Sequence, residues 1–190
     1  MDRVEAGHGC GVAAAVVLEQ APQRELAAAF AAHGRFVFRV VRRLGVADAA
    51  LDDVVQDVFL VAHRKWGSYQ EDASMKSWLF GIARRVASHH RRSTTRAERR
   101  QKVAPPPNAT PCPEDQAARR QAAQFLASFL ETLDDTKREV FVACCVEGMT
   151  VPEVAVATDA KLPAVYSRLR AAKAKFEAAM QDHLAAEGTR

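Results

Sequence analysis

The chain has 190 residues, 48% of them apolar, so it can bury the core of one medium domain or of two small ones. It carries 27 Lys and Arg against 23 Asp and Glu, a formal net charge of +4. Acidic residues gather in residues 48–57 and basic residues in residues 84–102, which indicates two different partners, one basic and one anionic.

Several classes of protein are excluded by the same composition. No apolar run approaches the roughly 18 residues of a membrane span, and no basic region precedes the short apolar stretch near the N-terminus. We therefore expect neither a signal peptide nor membrane insertion. The cysteines form no CxxC pair and have no histidine at zinc-ligand spacing; they are Cys10, Cys112, Cys144 and Cys145. They are predicted to be structural or incidental, with no metal or other cofactor, in a reducing cytoplasm.

The first predicted helix runs from about Arg24 to Leu44, after a loosely ordered tail over residues 1–22. Apolar residues recur along it at 3.6-residue spacing, which predicts one buried face. Gly45 is expected to end this helix, because glycine readily adopts the left-handed conformation that follows many helices.

A second predicted helix follows, with Asp48 as its expected cap and an apolar stripe on its buried face. Asp52 and Asp53 fall in its first turn, where the helix dipole favours negative charge. A second stripe is offset from the buried one and ends in an exposed leucine, which indicates a contact surface. This stripe consists of Asp53, Gln56, Asp57 and Leu60.

The third predicted helix follows a loop over residues 67–73 and begins after a capping Ser74. Over residues 74–92 the apolar side chains share one face, and polar and basic side chains cover the rest. One face can pack into a core while the other meets a polyanion. A solvated basic surface on an ordinary bundle helix is the alternative. Trp78 falls on the apolar stripe, so it is predicted to lie in the core.

Residues 93–116 are polar and basic and then rich in proline, so they are predicted to form an extended tether. The expected fold is all-α, with two small domains joined by this flexible linker. An N-terminal helical bundle occupies residues 23–92, a four-helix domain occupies residues 117–185, and residues 186–190 form a tail.

The second domain contains the pattern of a helix-turn-helix. Thr150 and Glu153 form a capping box that begins a short helix. A turn of three residues, 159–161, precedes a longer basic helix that begins around Pro163. This order is typical of a DNA-binding helix-turn-helix, with an arbitrary helical hairpin as the alternative.

Three segments together resemble the extracytoplasmic-function group of bacterial sigma factors. Residues 53–60, DVVQDVFL, are similar to the family's DLVQDVFL, and residues 78–85, WLFGIARR, resemble its WLFRIARN. Residues 148–169 follow the family pattern G-x-S-x-x-E-I-A…T-V-x-S-R-L. The resemblance covers about residues 24–92 and 117–180.

The resemblance implies a protein that binds core RNA polymerase through its β′ and β subunits. It would direct promoter recognition and strand opening, without an enzymatic reaction or a small-molecule substrate. The implied core-binding residues are Asp53, Gln56, Asp57 and Leu60. The implied contacts to the melted strand are Tyr69, Lys76, Arg84, Arg85, His89, Arg91 and Arg92. The implied contacts to duplex promoter DNA are Lys161, Ala164, Tyr166, Ser167, Arg168, Arg170 and Lys173. The family is commonly held by an anti-sigma protein, although no residue of this chain identifies one.

The sequence departs from the family pattern at four positions. Asp159 stands where the turn usually has glycine, and Ala164 and Tyr166 stand where threonine and lysine are usual. Gly81 replaces a common arginine, which removes one phosphate contact. The rival interpretation is a stand-alone helix-turn-helix regulator with an N-terminal dimerisation or sensing bundle. An enzyme has little support, because no HExxH pair and no glycine-rich phosphate loop is present.

Overall fold

The computed structural model describes residues 10–69, 74–98 and 114–188, with side chains over 25–69, 74–94 and 120–185. Over these residues the chain forms helices and no strands, which confirms the predicted all-α class. No helix within the described ranges is long and apolar enough to cross a membrane. The α-helices are α1 (Cys10–Arg43), α2 (Leu51–Arg64), α3 (Met75–Glu98), α4 (Glu114–Glu131), α5 (Asp135–Phe141), α6 (Val151–Thr158) and α7 (Leu162–Gly188).

Helix α1 is longer than predicted. It begins at Cys10, so the prediction of a loosely ordered tail is wrong for residues 10–22. The reason is composition, because alanine, the strongest helix former, recurs on both sides of Pro22. At the other end the prediction is confirmed: Gly45 follows α1 with φ +87°.

The connection from α1 to α2 differs from the prediction at Asp48. This residue begins a short 3-10 turn, Asp48–Ala50, and makes no capping hydrogen bond. Its carboxylate pairs instead with Arg42, at 3.1 Å from Nε. The cap prediction was wrong because α2 begins only at Leu51, beyond the reach of the Asp48 side chain.

The apolar stripes of the N-terminal domain pack as predicted. The stripe of α2 is buried through Leu51, Val54, Val55, Val58 and Ala62. That of α3 is buried through Leu79, Phe80, Ile82, Ala83 and Ala87. Ser74 caps α3, because its Oγ accepts the backbone N–H of Ser77 at 3.1 Å.

The predicted linker is shorter than residues 93–116. Helix α3 continues to Glu98 and α4 begins at Glu114, so only residues 99–113, which lie outside the described residues, separate the two helices. Residues 93–98 extend α3 and are not part of a tether. Helix α7 likewise continues to Gly188, so the predicted tail over residues 186–190 is wrong for its first three residues.

Local signals place the remaining turns of the C-terminal domain. Asp134 caps α5, and Gly148 ends the following π-helical turn, Val142–Val146, with φ +68°. Thr150 and Glu153 make both hydrogen bonds of the predicted capping box at α6. Asp159 adopts the left-handed conformation, with φ 53°, so the turn before α7 forms without glycine.

Arg138 is a buried residue of the C-terminal domain, and its side chain binds backbone carbonyl groups at the end of α4. Its side chain is 9% exposed, and its guanidinium donates to the carbonyl oxygens of Leu130, at 2.7 Å, and Leu133, at 3.1 Å. These carbonyls follow the last turns of α4, where helical partners are missing. Burial lowers the pKa of Arg138, but the group stays protonated at neutral pH.

We expect Arg138→Leu to lower the free energy of unfolding by about 3 kcal/mol, because buried carbonyls would lose charged donors. Urea unfolding followed by circular dichroism measures this loss. The control is Lys175→Leu, which changes an exposed cation of α7. Equal unfolding midpoints for the two variants would show that Arg138 does not hold the end of α4.

The two domains pack against each other, which the sequence analysis did not predict. Helix α3 lies along α6, and the buried apolar residues of both domains form one continuous cluster. A flexible tether between separate domains was expected, whereas α3 of the N-terminal domain contacts α6 of the C-terminal domain. The face of α3 that lies against α6 carries residues predicted to contact DNA.

Candidate functional site

The acidic stripe of α2 lies on the surface, as predicted. The side chains of Asp53, Gln56, Asp57 and Leu60 are all exposed. Leu60 is 49% exposed, an unusual environment for a leucine flanked by carboxylates. Because Val54, Val55 and Val58 face the core, the stripe occupies the opposite side of a rigid, well-packed helix. Such a surface is complementary to a partner surface that carries basic side chains and an apolar side chain.

Three aromatic rings meet at the start of α3. The ring centroid of Trp78 lies 5.2 Å from that of Tyr69 and 5.9 Å from that of Trp66. Trp78 is partly buried and packs against the core, in accordance with its predicted position, but it also belongs to this aromatic cluster. The sequence analysis missed Trp66. The signal was present, because Trp66 precedes Tyr69 by one helical turn.

A groove of about 370 Å³ lies between α2 and α3. Its apolar lining comes from Val61, Ile82 and Val86. Its polar lining comes from Asp57, Arg64, Lys65, Arg85 and His89. Arg85 and His89 are exposed there, and Arg92 is exposed further along α3. Apolar walls with cations at the rim can hold a base and its phosphates.

The other cations predicted to contact a strand face the C-terminal domain. Arg84 donates from Nε to the carbonyl of Ala157 at 3.1 Å and from Nη2 to that of Thr158 at 2.9 Å. Its Nη1 pairs with Glu139 at 3.2 Å. Lys76 donates to the carbonyl of Glu147 at 2.5 Å.

Arg91 also joins the two domains, by a pair with Asp135 at 2.7 Å. Glu139, the carboxylate that pairs with Arg84, has a pKa raised by burial, although the positive charge of Arg84 lowers it.

Helix α7 presents the predicted duplex-contacting residues at its N-terminal half. Lys161, Tyr166, Ser167, Arg170 and Lys173 are exposed, and Ala164 and Arg168 are partly buried. Val165 and Ala172 are fully buried, so the helix is fixed by its opposite face. The exposed face is therefore basic and rigid, which suits insertion into a major groove.

No cluster that could hold a metal ion occurs among the described residues. Burial raises the pKa of the Cys144 thiol to about 11 and also raises that of Cys145. These thiols are therefore protonated at neutral pH and have little nucleophilic character.

Comparisons with known proteins agree with this geometry. Residues 29–97 match the family model of sigma-70 region 2, and residues 126–176 match that of sigma-70 region 4. The RNA polymerase sigma factor CnrH of Cupriavidus metallidurans is 31% identical over 166 residues, which cover 82% of this chain and 86% of CnrH. The chain belongs to the extracytoplasmic-function group of RNA polymerase sigma factors.

Another sigma factor and two solved structures are also similar to this chain. The sigma factor NccH of Alcaligenes xylosoxydans xylosoxydans is 28% identical over 78% of this chain and 83% of NccH. The solved structure of CnrH in complex with the cytosolic domain of CnrY superposes with a TM-score of 0.63 at 29% identity, over 88% of this chain and 96% of that one. The sigma factor RpoE of Bartonella quintana, in complex with the anti-sigma factor NepR, shares the fold, with a TM-score of 0.62 at 20% identity.

This sigma factor binds core RNA polymerase and promoter DNA and directs transcription initiation. The rival interpretation, a stand-alone helix-turn-helix regulator, is not favoured. Region 2 corresponds to the C-terminal part of α1 with α2 and α3, and region 4 runs from the end of α4 into α7. The acidic stripe and the α2–α3 groove thus belong to region 2, and the exposed face of α7 belongs to region 4.

Proposed function

We propose that this sigma factor uses three surfaces, one for each step of initiation. The acidic stripe of α2 binds core polymerase, the α2–α3 groove with the aromatic cluster holds the melted strand, and α7 reads duplex DNA. The supporting observation is that each surface lies on well-packed helices, and that the acidic stripe meets the groove only at Asp57. One protein can therefore contact polymerase and DNA at the same time.

The core-binding assignment rests on Asp53, Gln56, Asp57 and Leu60. The two carboxylates lie about one turn apart, and all four side chains, including that of Leu60, are exposed. Charges of one sign steer a partner of the opposite sign, and the leucine adds apolar contact. A basic coiled coil, which the family resemblance implies for the β′ subunit, fits this stripe.

The strand-holding assignment rests on stacking and on phosphate contacts. Separating and flipping a base costs a few kcal/mol, whereas stacking on an aromatic ring returns about 1–3 kcal/mol per base. Tyr69 provides the ring, supported by Trp66 and Trp78. The polar and basic side chains proposed to follow the strand are Lys76, Arg84, Arg85, His89, Arg91 and Arg92. Lys65, at the rim of the groove, joins them.

The duplex-reading assignment places α7 in the major groove. Ser167 and Arg168 correspond to the family's S-R pair and are proposed to meet base edges. Lys161, Arg170 and Lys173 are proposed to contact phosphates, which position the helix without specifying a sequence. Ala164 and Tyr166 also face the groove, so the base preference includes apolar and aromatic contacts at these positions.

Arg168→Ala is expected to weaken binding to the preferred upstream element by about 1–3 kcal/mol, because a bidentate contact to a base edge is lost. Fluorescence anisotropy with matched and mismatched duplexes measures the loss. The control is Lys173→Ala, which should weaken binding to all sequences alike. A uniform loss for Arg168→Ala would assign it to a phosphate instead.

The proposal extends to domains, location and partners. The functional domain that contains region 2 is proposed to span residues 23–92, and the one that contains region 4 to span residues 117–185. The chain acts as an initiation factor without a reaction of its own, in the cytoplasm where transcription takes place. An anti-sigma protein is a further proposed partner, supported by the two solved complexes of relatives.

Three assays used together test the assignment of one function to each surface. They are core-polymerase binding, permanganate detection of the melted strand, and duplex anisotropy. We expect variants of the α2 stripe to reduce mainly core-polymerase binding, and variants of the groove to reduce mainly the permanganate signal. Variants of α7 should reduce mainly the binding to duplex DNA. If variants of all three surfaces affect the three assays equally, the division between surfaces is wrong.

A further inference from the structure

The first turns of α7 expose two large apolar side chains. Leu162 is 44% exposed and Tyr166 is 57% exposed. They are four residues apart, so they lie on the same side of the helix, about one turn from each other. Pro163, also exposed, lies between them in the chain. These three residues form the apolar end of α7, on a side of the helix where polar side chains are the rule.

Every charged residue from Lys161 to Lys175 is a cation. The sequence has no aspartate or glutamate over residues 160–176. The cations of this stretch are Lys161, Arg168, Arg170, Lys173 and Lys175, and the first, third and fourth of them border the exposed side of α7. An apolar patch that is bordered by cations alone is complementary to a polyanion that also presents apolar groups. Duplex DNA is such a partner.

The apolar end is held in a fixed orientation. Val165 and Ala172 are fully buried on the opposite side of α7, so the helix cannot rotate about its axis without exposing them. The turn before α7 is fixed by the left-handed conformation of Asp159 and by the Ala160 N–H, which donates to the carbonyl of Ala155 at 3.0 Å. A preorganised side chain loses little conformational entropy when it binds.

Leu162 and Tyr166 occupy the part of a helix-turn-helix that reads base edges. The N-terminal residues of its second helix are the ones that reach the bases in the major groove. A leucine side chain forms no hydrogen bond, so it distinguishes bases only through apolar contact. The apolar group that base edges present in the major groove is the C5-methyl of thymine. A leucine side chain or an aromatic ring can remove this methyl group from water.

We infer that the apolar end of α7 recognises thymine in the upstream promoter element, through contact of Leu162 and Tyr166 with C5-methyl groups. This inference rests on the proposed reading of duplex DNA by α7, and it adds the base and the atoms that are read. Arg170 and Lys173 hold the phosphates, whereas the methyl contacts favour thymine over cytosine. The recognised element therefore contains at least one thymine whose methyl group is required.

Replacement of thymine by deoxyuridine removes the methyl group and leaves the hydrogen-bonding groups of the base pair in place. The probe is the duplex that the unaltered chain, bound to core polymerase, selects from a pool of random sequences. One copy carries deoxyuridine within the upstream element, and a second copy carries it only in the flanks. We expect the first copy to bind about fourfold more weakly for each methyl group contacted, and the second to bind unchanged. A selected element without thymine, or equal binding of all three duplexes, would overturn the inference.

Leu162→Ser and Tyr166→Ser, alone and together, test which side chains contact the methyl groups. Each should lower the ratio of thymine affinity to deoxyuridine affinity, and the double variant should bring it close to one. Tyr166→Phe keeps the ring and should keep the ratio. Leu184→Ser is the matched control, because Leu184 is 58% exposed near the other end of α7. With helices verified by circular dichroism, a ratio that persists in the double variant would show that other groups read the methyl.

Arg168→Ala separates failure of this inference from failure of duplex reading by α7. If α7 reads the duplex without methyl contacts, Arg168→Ala weakens binding while the thymine and deoxyuridine duplexes bind alike. If α7 does not meet the duplex, neither Arg168→Ala nor deoxyuridine changes binding, and both proposals are wrong. If the double serine variant instead loses core-polymerase binding, the apolar end is a protein contact and the inference is overturned.

Discussion

Reversing the charge of the α2 stripe, with Asp53→Lys and Asp57→Lys together, is expected to abolish promoter-specific transcription. Like charges brought together at an interface cost several kcal/mol, so core-polymerase binding should weaken by at least about 100-fold. Both side chains are exposed, so the fold should remain intact. Binding to labelled core polymerase, measured by anisotropy, gives the size of the loss.

The matched control is Asp48→Lys with Asp52→Lys. It makes the same change in net charge, and each double variant removes one acid from the first turn of α2, yet Asp48 and Asp52 lie outside the stripe. The control should therefore keep most of the core binding. Equal losses in the two double variants would mean that overall charge, and not the stripe, determines the association.

Replacing two polar side chains of the α2–α3 groove, with Arg85→Ala and His89→Ala together, is expected to slow promoter opening by about tenfold. A tenfold change in rate corresponds to about 1.4 kcal/mol, a reasonable loss for phosphate contacts in a water-exposed groove. Permanganate reactivity of unpaired thymines, followed in time, measures the opening rate. Core binding should be unchanged, since neither residue belongs to the stripe.

The control for the groove is Arg35→Ala, which removes an exposed cation of α1 away from α3. The groove variant should also show a shallower dependence of DNA binding on salt concentration, because fewer counterions are released. If the opening rate and the salt dependence match those of Arg35→Ala, the groove does not hold the strand.

Elements that depend on local chemistry were predictable from the sequence. The capping box at Thr150 and the left-handed turn at Gly45 involve only neighbouring residues, and both are confirmed. The buried stripe of α2 follows from periodicity alone. The family resemblance, carried by short motifs on α2, α3 and α6–α7, is also confirmed.

The packing of region 2 on region 4 was not predictable in this way. Glu147 precedes a glycine at the end of a turn, which suggests an exposed acid, yet its partners Arg39 and Arg43 lie more than 100 residues earlier in the chain. Gly81 was interpreted as the loss of a phosphate contact. A Cβ atom at Gly81 would lie 3.0 Å from the carbonyl oxygen of Ala157 on α6, a close approach that no local pattern indicates. Contacts between distant segments carry no periodic signal.

The predicted start of α1 and the predicted start of the linker were wrong for a related reason. Residues 10–22 and 93–98 have polar, alanine-rich or basic sequences without a clear apolar stripe, so they resemble tail and tether. Helix propensity and continuity with a packed helix extend α1 and α3 through them. Lys76, Arg84 and Arg91 were predicted to contact a melted strand, and the structure places their side chains against region 4, which no local pattern indicates.

In vitro transcription with core polymerase tests the central claim most directly. The purified chain is mixed with core polymerase lacking other sigma factors and a library of genomic fragments, and transcript starts are sequenced. Discrete starts that share two upstream elements, absent without the chain and lost with Asp53→Lys and Asp57→Lys, are the predicted result. Starts that are the same with and without the folded chain would contradict its role as a promoter-specificity factor.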